Sequence, residues 1–325
     1  MKNYTLEIKT VDTHTMGEAT RIVTGGFPSI TGDTMMEKKD FVRTHYDHIR
    51  QLLMNEPRGH KDMFGSILVE PTNPIADIGV IFMDSGDYLN MCGHGTIGTV
   101  TMCITKGLIA KKELVYVDTP SGLIECHVDY EEEYVKSVSF INVPSFSFIK
   151  NYELQVDQHL IQVDVAFGGS FFGIVKSSQL NLEIELKNKD KFMYYAHKIR
   201  NILNDELSMV HPEKPTITTV DLIEFTEEIG CNHYRNVVVF GDNQIDRSPC
   251  GTGTCAKLST LDLSIGDHII QESIIGSRFS GEIIGKTTVG KYPAIIPKIT
   301  GAAWITGEHN FVLQAHDVYT TGFSV

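Results

Sequence analysis

One five-residue pattern, Cys-Gly-x-Gly-Thr, occurs twice in this chain. The first copy lies in Asn90-Met91-Cys92-Gly93-His94-Gly95-Thr96-Ile97-Gly98. The second lies in Asp246-Arg247-Ser248-Pro249-Cys250-Gly251-Thr252-Gly253-Thr254-Cys255-Ala256. Each copy closes an extended stretch and opens a helical one. The elements around them also repeat: strands, a helix, more strands, the cysteine motif with its helix, and strands again. This order predicts two homologous α/β halves. A chain of 325 residues is long enough for two domains of ordinary size.

Glycine after the cysteine removes side chains where the backbone turns and allows close approach to the main chain. The amides that open a helix have no intrahelical acceptor and form a site for a carboxylate. The same helix end favours a thiolate and is expected to lower a nearby thiol's pKa. Each motif therefore offers an anion cradle and a group that can move a proton. Two such motifs around one small acid would take a proton from one face of a carbon and return one to the other. Cys92 and Cys250 are the candidate catalytic pair. The amides at Gly93, His94, Gly251 and Thr252 are candidates for holding the substrate.

The net charge of −13 disfavours nucleic acid and anionic membrane as partners. No apolar run approaches the roughly 20 residues of a membrane helix, and Met1-Lys2-Asn3-Tyr4-Thr5-Leu6-Glu7 lacks a signal-peptide core. A cytoplasmic location is expected. The six cysteines form no CxxC pair, and no histidines stand at ligand spacing beside Cys250 and Cys255, so no metal site is expected.

Alternation predicts strands over 5–12, 20–24, 66–69, 78–83, 115–119, 123–128 and 137–143. Further strands are predicted over 160–166, 216–225, 236–240, 269–275, 282–287, 297–305 and 311–314. Helical spacing predicts one or two helices over 34–54 and single helices over 93–105, over 190–206, and from the Cys250 motif to about residue 263. Residues 144–151 read as a connection. The halves then span 1–150 and 151–299, with the site expected between them.

The chain resembles the proline racemase family. The likeness rests on Glu56-Pro57-Arg58-Gly59-His60, both cysteine motifs and Phe167-Gly168-Gly169-Ser170-Phe171-Phe172. It extends from His14-Thr15-Met16-Gly17-Glu18-Ala19 to Ile299-Thr300-Gly301. The resemblance implies a diaminopimelate-epimerase-like fold, in which each half wraps a sheet around a central helix and strands from 300–325 return to the first half. It implies a cofactor-independent isomerase of proline, a homodimer, and an Asp246 that meets the substrate's ring ammonium. A turn-forming role for Asp246 stands beside that one. Some members of the family dehydrate 3-hydroxyproline and carry threonine at the second cysteine. The cysteine at 250 favours two-base inversion over that elimination.

A 4-hydroxyproline 2-epimerase is the alternative within the family. An inactive binder of cyclic amino acids is the alternative outside enzymes. Phe64, Phe171 and Phe172 are candidates for an apolar pocket wall, against ordinary core packing. Cys103, Cys126, Cys231 and Cys255 read as structural.

Overall fold

The structure is a computed structural model and describes residues 4–241 and 244–324. Its contacts divide the chain into two compact units. One runs up to Phe140 and resumes at Ala302; the other is Ile141–Gly301.

The first unit opens with a hairpin. Strand Tyr4–Thr15 turns at Met16 and Gly17, both at positive φ, into the antiparallel strand Glu18–Gly25. Glu18–Gly25 then pairs parallel with Phe64–Val69, and a parallel partner needs a crossover. Helix α1, Met35–Met54, makes it. Thr34 caps α1 by accepting a bond from Glu37 N at 3.2 Å, while Glu37 Oε2 accepts from Asp33 N, one residue before the cap, at 2.8 Å, so two side-chain bonds hold the helix start. The helix is kinked at Tyr46, where φ is −130°, so the open choice between one helix and two resolves as one bent element.

Phe64–Val69 pairs antiparallel with Ile78–Asp84, which is parallel to Leu114–Thr119. Helix α2, Gly93–Thr105, supplies this second crossover. Antiparallel strands Gly122–Glu131 and Tyr134–Ile141 follow. The late strand Ala303–Gln314 comes back to pair with Tyr4–Thr15. Helix α2 packs against Tyr4–Thr15, Glu18–Gly25, Phe64–Val69 and Ala303–Gln314, so the sheet wraps it. The α1 side chains Met35, Val42, Ile49 and Leu53 cluster with Ile8, Val23, Ile67 and Ile81 of the strands.

The second unit repeats these pairings. His159–Phe167 is antiparallel to Phe146–Val156 and to Phe171–Lys176. Phe171–Lys176 is parallel to Val220–Gly230, across helix α3, Lys189–Glu206. Val220–Gly230 is antiparallel to His233–Phe240, which is parallel to His268–Glu272 across helix α4, Gly251–Thr260. Arg278–Val289 and Tyr292–Gly301 complete the unit. Helix α4 touches strands from both ends of this order, as α2 does in the first unit. The fold is mixed α/β, rich in sheet and with few helices.

Several predicted boundaries move: the strand predicted over 297–305 divides into Tyr292–Gly301 and Ala303–Gln314, the one predicted over 216–225 is Val220–Gly230, and two other shifts have a visible local cause. Residues 146–151, read as part of a connection, begin the strand Phe146–Val156. Its pairing with His159–Phe167 is irregular around Asn151, whose φ of 54° breaks the alternation that would have revealed it. Helix α4 ends at Thr260 rather than near 263. Ser259 and Thr260 bond back to the Ala256 and Lys257 carbonyls at 2.7 and 2.8 Å, competing with continuation of the helix.

Candidate active site

The two cysteine motifs are built alike, each within its own unit. A short strand precedes each: Tyr88–Leu89 pairs antiparallel with Ile78–Asp84, and Gln244–Asp246 pairs antiparallel with His233–Phe240. Each cysteine is then the residue that caps a central helix. The Cys92 carbonyl accepts from Thr96 N at 3.0 Å and Thr96 Oγ1 at 2.7 Å. The Cys250 carbonyl accepts from Thr254 N at 2.9 Å and Thr254 Oγ1 at 2.7 Å. The threonine of the pattern thus doubles the first helical bond and fixes the carbonyl of the thiol-bearing residue.

Around Cys92 the backbone is extended, with φ −149° and ψ 128°. Its Sγ stands 3.2 Å from His94 Nδ1 and 3.9 Å from Nε2. The His94 ring packs edge-on against Phe64 with centroids 4.4 Å apart, and its carbonyl accepts from Thr15 Oγ1 at 2.8 Å. His94 therefore meets Cys92 through its imidazole. The later glycines of this motif serve internal packing. A Cβ on Gly98 would lie 2.8 Å from Thr13 Oγ1, so the helix can sit this close to its strands only without a side chain there.

Cys250 holds φ 62° and ψ 110°, a region that residues other than glycine rarely occupy and that concentrates at functional sites. A chain of bonds holds it there. Cys250 N donates to Ser248 Oγ at 3.2 Å, and Ser248 N and Oγ donate to Asp246 Oδ1 at 2.8 and 2.7 Å. Asp246 thus makes the turn-forming contacts that its position allows. The thiol accepts from Gly253 N at 3.3 Å and lies 3.7 Å from Thr252 Oγ1.

The expectation that the helix start lowers this thiol's pKa is corrected for Cys250. Burial pushes it well up, and the charges of Asp246 and Glu224 push the same way; the Gly253 amide and Thr252 hydroxyl oppose them without prevailing. A helix-end effect of about 1 kcal/mol is smaller than the desolvation of a buried thiolate.

The predicted residues fall into two groups, each within one unit: Cys92, Gly93 and His94 in the first, and Asp246, Cys250, Gly251 and Thr252 in the second. Phe171 belongs to the second unit's core, beside Phe146, Phe167 and Val175. Phe172 packs in a smaller cluster with Cys250, Ala256 and Val238. Cys103 is fully buried and its thiol is pushed up to about 12 by burial. Cys126 and Cys255 are buried and raised in the same direction, while Cys231 is exposed. Among the described residues, no group of three or more His, Cys, Asp and Glu side chains is placed to hold a metal ion, and no helix is long and apolar enough to cross a membrane.

The Phe167–Phe172 motif buttresses the second cysteine. A Cβ on Gly168 would lie 2.2 Å from the Thr252 carbonyl oxygen and 2.6 Å from Ala256 N, and the Gly168 carbonyl accepts from Asn142 Nδ2 at 2.7 Å. Gly168→Ala must displace the first turn of α4. We expect a loss of about 3 kcal/mol of stability, read as a lowered melting temperature. An unchanged melt would mean that this loop does not set the position of α4.

Sequence reasoning missed Glu224, Asn236 and Gln271, which form a buried polar cluster behind Cys250. A signal was present: Glu224 stands between Leu222-Ile223 and Phe225 in a predicted strand, where a charge among apolar neighbours needs a reason.

Three comparisons with known proteins show what the chain is similar to. The family model described as Proline racemase matches residues 10–324. The chain is 46% identical to the proline racemase of Clostridioides difficile, with 98% of each chain covered. It is 38% identical to the trans-3-hydroxy-L-proline dehydratase of Bacillus thuringiensis subsp. konkukian, with 97% of each covered. The solved structure of a hydroxyproline epimerase from Agrobacterium vitis, with bound trans-4-hydroxy-L-proline, superposes with a TM-score of 0.90 at 29% identity, covering 99% of this chain and 96% of that one.

Proposed function

Because this chain belongs to the proline racemase family, we propose that it is a cofactor-independent isomerase that interconverts L- and D-proline. The observation that carries the reading is the matched construction of the two motifs. In each, a cysteine caps a central helix, its carbonyl locked by a threonine four residues on. The full-length likeness to a proline racemase at 46% identity supports the substrate.

In the proposed mechanism Cys92 and Cys250 act on the same α-carbon. One, as thiolate, removes the α-proton; the other, as thiol, gives a proton to the opposite face. The C–H electron pair passes into the substrate carboxyl as the bond breaks and returns to carbon as the new C–H bond forms. Roles exchange in the reverse direction. The helix-opening amides at Gly93–His94 and Gly251–Thr252 are the proposed holders of the carboxylate, whose negative charge grows in the transition state. Asp246 is the proposed partner of the ring ammonium. His94 at 3.2 Å from Cys92 is suited to hold the proton balance of that thiol. The enzyme is proposed to be a cytoplasmic homodimer, a mass that light scattering would test.

The test is proton NMR of L-proline with enzyme in deuterated water, alongside optical rotation. We expect loss of the α-proton signal with rotation falling to zero. Exchange confined to trans-4-hydroxy-L-proline would move the assignment to a hydroxyproline epimerase, as in the Agrobacterium vitis protein. Binding of proline without exchange would leave the inactive binder.

A further inference from the structure

Glu224 lies on the strand Val220–Gly230, wholly buried. Its Oε1 accepts from Asn236 Nδ2 at 3.1 Å and from Gln271 Nε2 at 2.8 Å. Its Oε2 has no hydrogen-bond partner among the described residues. A Cβ built on Gly253 would lie 3.2 Å from that oxygen and 3.2 Å from Cys250 Sγ. The carboxyl and the thiol therefore both lie against the Gly253 backbone at the start of α4, which carries no side chain of its own to part them. A side chain at 253 would crowd both groups.

The charged groups that face Glu224 come from several elements. Lys257 faces it from α4. Cys250 precedes α4, and Asp246, from the short strand before it, acts on the same thiol. Asp164, Lys176 and Glu228 bear on Lys257. Asn236 anchors the cluster to the motif itself, donating from the same Nδ2 to the Pro249 carbonyl at 2.8 Å.

We propose that Glu224 is a positioning residue for Cys250, its carboxylate charge holding this thiol protonated so that Cys250 waits as the proton donor. The role in turnover rests on the two-cysteine reading above; the effect on the thiol does not. Burial pushes the Glu224 carboxyl up to about 7 against the pull of Lys257, Asn236 and Gln271. Below that pH the carboxyl is neutral and leaves the thiol alone. Above it the anion opposes ionisation of Cys250, because two like charges in a dry site disfavour each other.

The test follows alkylation of Cys250 and Cys92 by iodoacetamide in the full chain, by peptide mass spectrometry, from about pH 6 to about pH 10. In the wild-type protein, the logarithm of the Cys250 rate is expected to flatten around pH 7, where the Glu224 carboxyl ionises, and to climb with its former slope on either side, with no such step at Cys92. A single uniform slope at Cys250 overturns the proposal without any variant. In Glu224→Gln the charge is gone and the shape is kept. Alkylation of Cys250 is expected to be faster than in wild type above about pH 7, where the carboxylate would otherwise be charged, while Cys92 does not change. Glu224→Asp, which keeps the charge, is expected to behave as wild type. An unchanged Cys250 rate above neutral pH in folded Glu224→Gln overturns the proposal, as does an equal change at both cysteines. The assay needs no turnover, so absence of racemisation would sink the functional reading and leave this result standing.

Discussion

Cys250→Ser is expected to lower kcat for proline racemisation by about 10³-fold or more, as when a positioned general acid–base group is removed. A serine hydroxyl is a far weaker acid than a thiol, whose ordinary pKa is about 8.5, so it neither donates nor recovers the proton at a useful rate. The substitution is otherwise mild. Serine accepts the Gly253 amide bond as the thiol does and meets the same backbone constraint at φ 62°. Cys92→Ser is expected to lose activity to a similar degree. The informative readout is the ratio of α-deuterium wash-in to inversion. With one thiol left, exchange from one enantiomer survives better than conversion to the other. Retention of more than about a tenth of the wild-type rate in either variant, with an unchanged melt, would rule out the two-cysteine mechanism.

Arg21→Met destabilises the first unit by about 3–5 kcal/mol, as when a buried ion pair loses one member. Arg21 and Asp12 are 7% and 8% exposed. The guanidinium reaches Asp12 through Nε and Nη2, with the Nη2–Oδ2 distance at 2.9 Å. Its Nη1 donates to the Leu53 and Arg58 carbonyls at 2.7 and 2.6 Å. Its plane lies over the Phe311 ring, 4.2 Å from the centroid. One side chain thus joins the first hairpin to the end of α1, where a carbonyl has lost its helical donor, and to the returning strand Ala303–Gln314. Removing it leaves the buried Asp12 carboxylate with the Thr10 hydroxyl, which donates to Oδ1 at 3.1 Å, and His309 Nε2, 3.4 Å away.

Denaturant melts of the variant should show a lowered midpoint. Adding Asp12→Asn to Arg21→Met should recover part of the loss, because the stranded charge goes with it. Arg21→Lys should rescue poorly, since an ammonium cannot reproduce the planar fork. Single variants that melt like wild type would mean the network is dispensable.

What was legible in the chain was what neighbours in sequence enforce. A cysteine followed by Gly-x-Gly-Thr caps a helix because the threonine hydroxyl reaches the carbonyl four residues back. That bond is local, so both helix starts and the candidate pair Cys92 and Cys250 could be read directly. The alternating strands and the repeated order of elements followed from side-chain periodicity in the same way.

Long-range contacts decided the rest. Phe146–Val156 is a strand because His159–Phe167 lies alongside it; its own residues, with Asn151 at positive φ, break the alternation. Phe171 and Phe172 are adjacent in sequence, yet one enters the core and the other packs beside Cys250, because strand neighbours face opposite sides. The Cys250 thiol shows the division most sharply. Its local setting at a helix start argues for easier ionisation. Burial, together with carboxylates from two strands, reverses that. Desolvation depends on everything that surrounds a group, and Glu224 reaches this thiol only because the sheet carries it behind the start of α4.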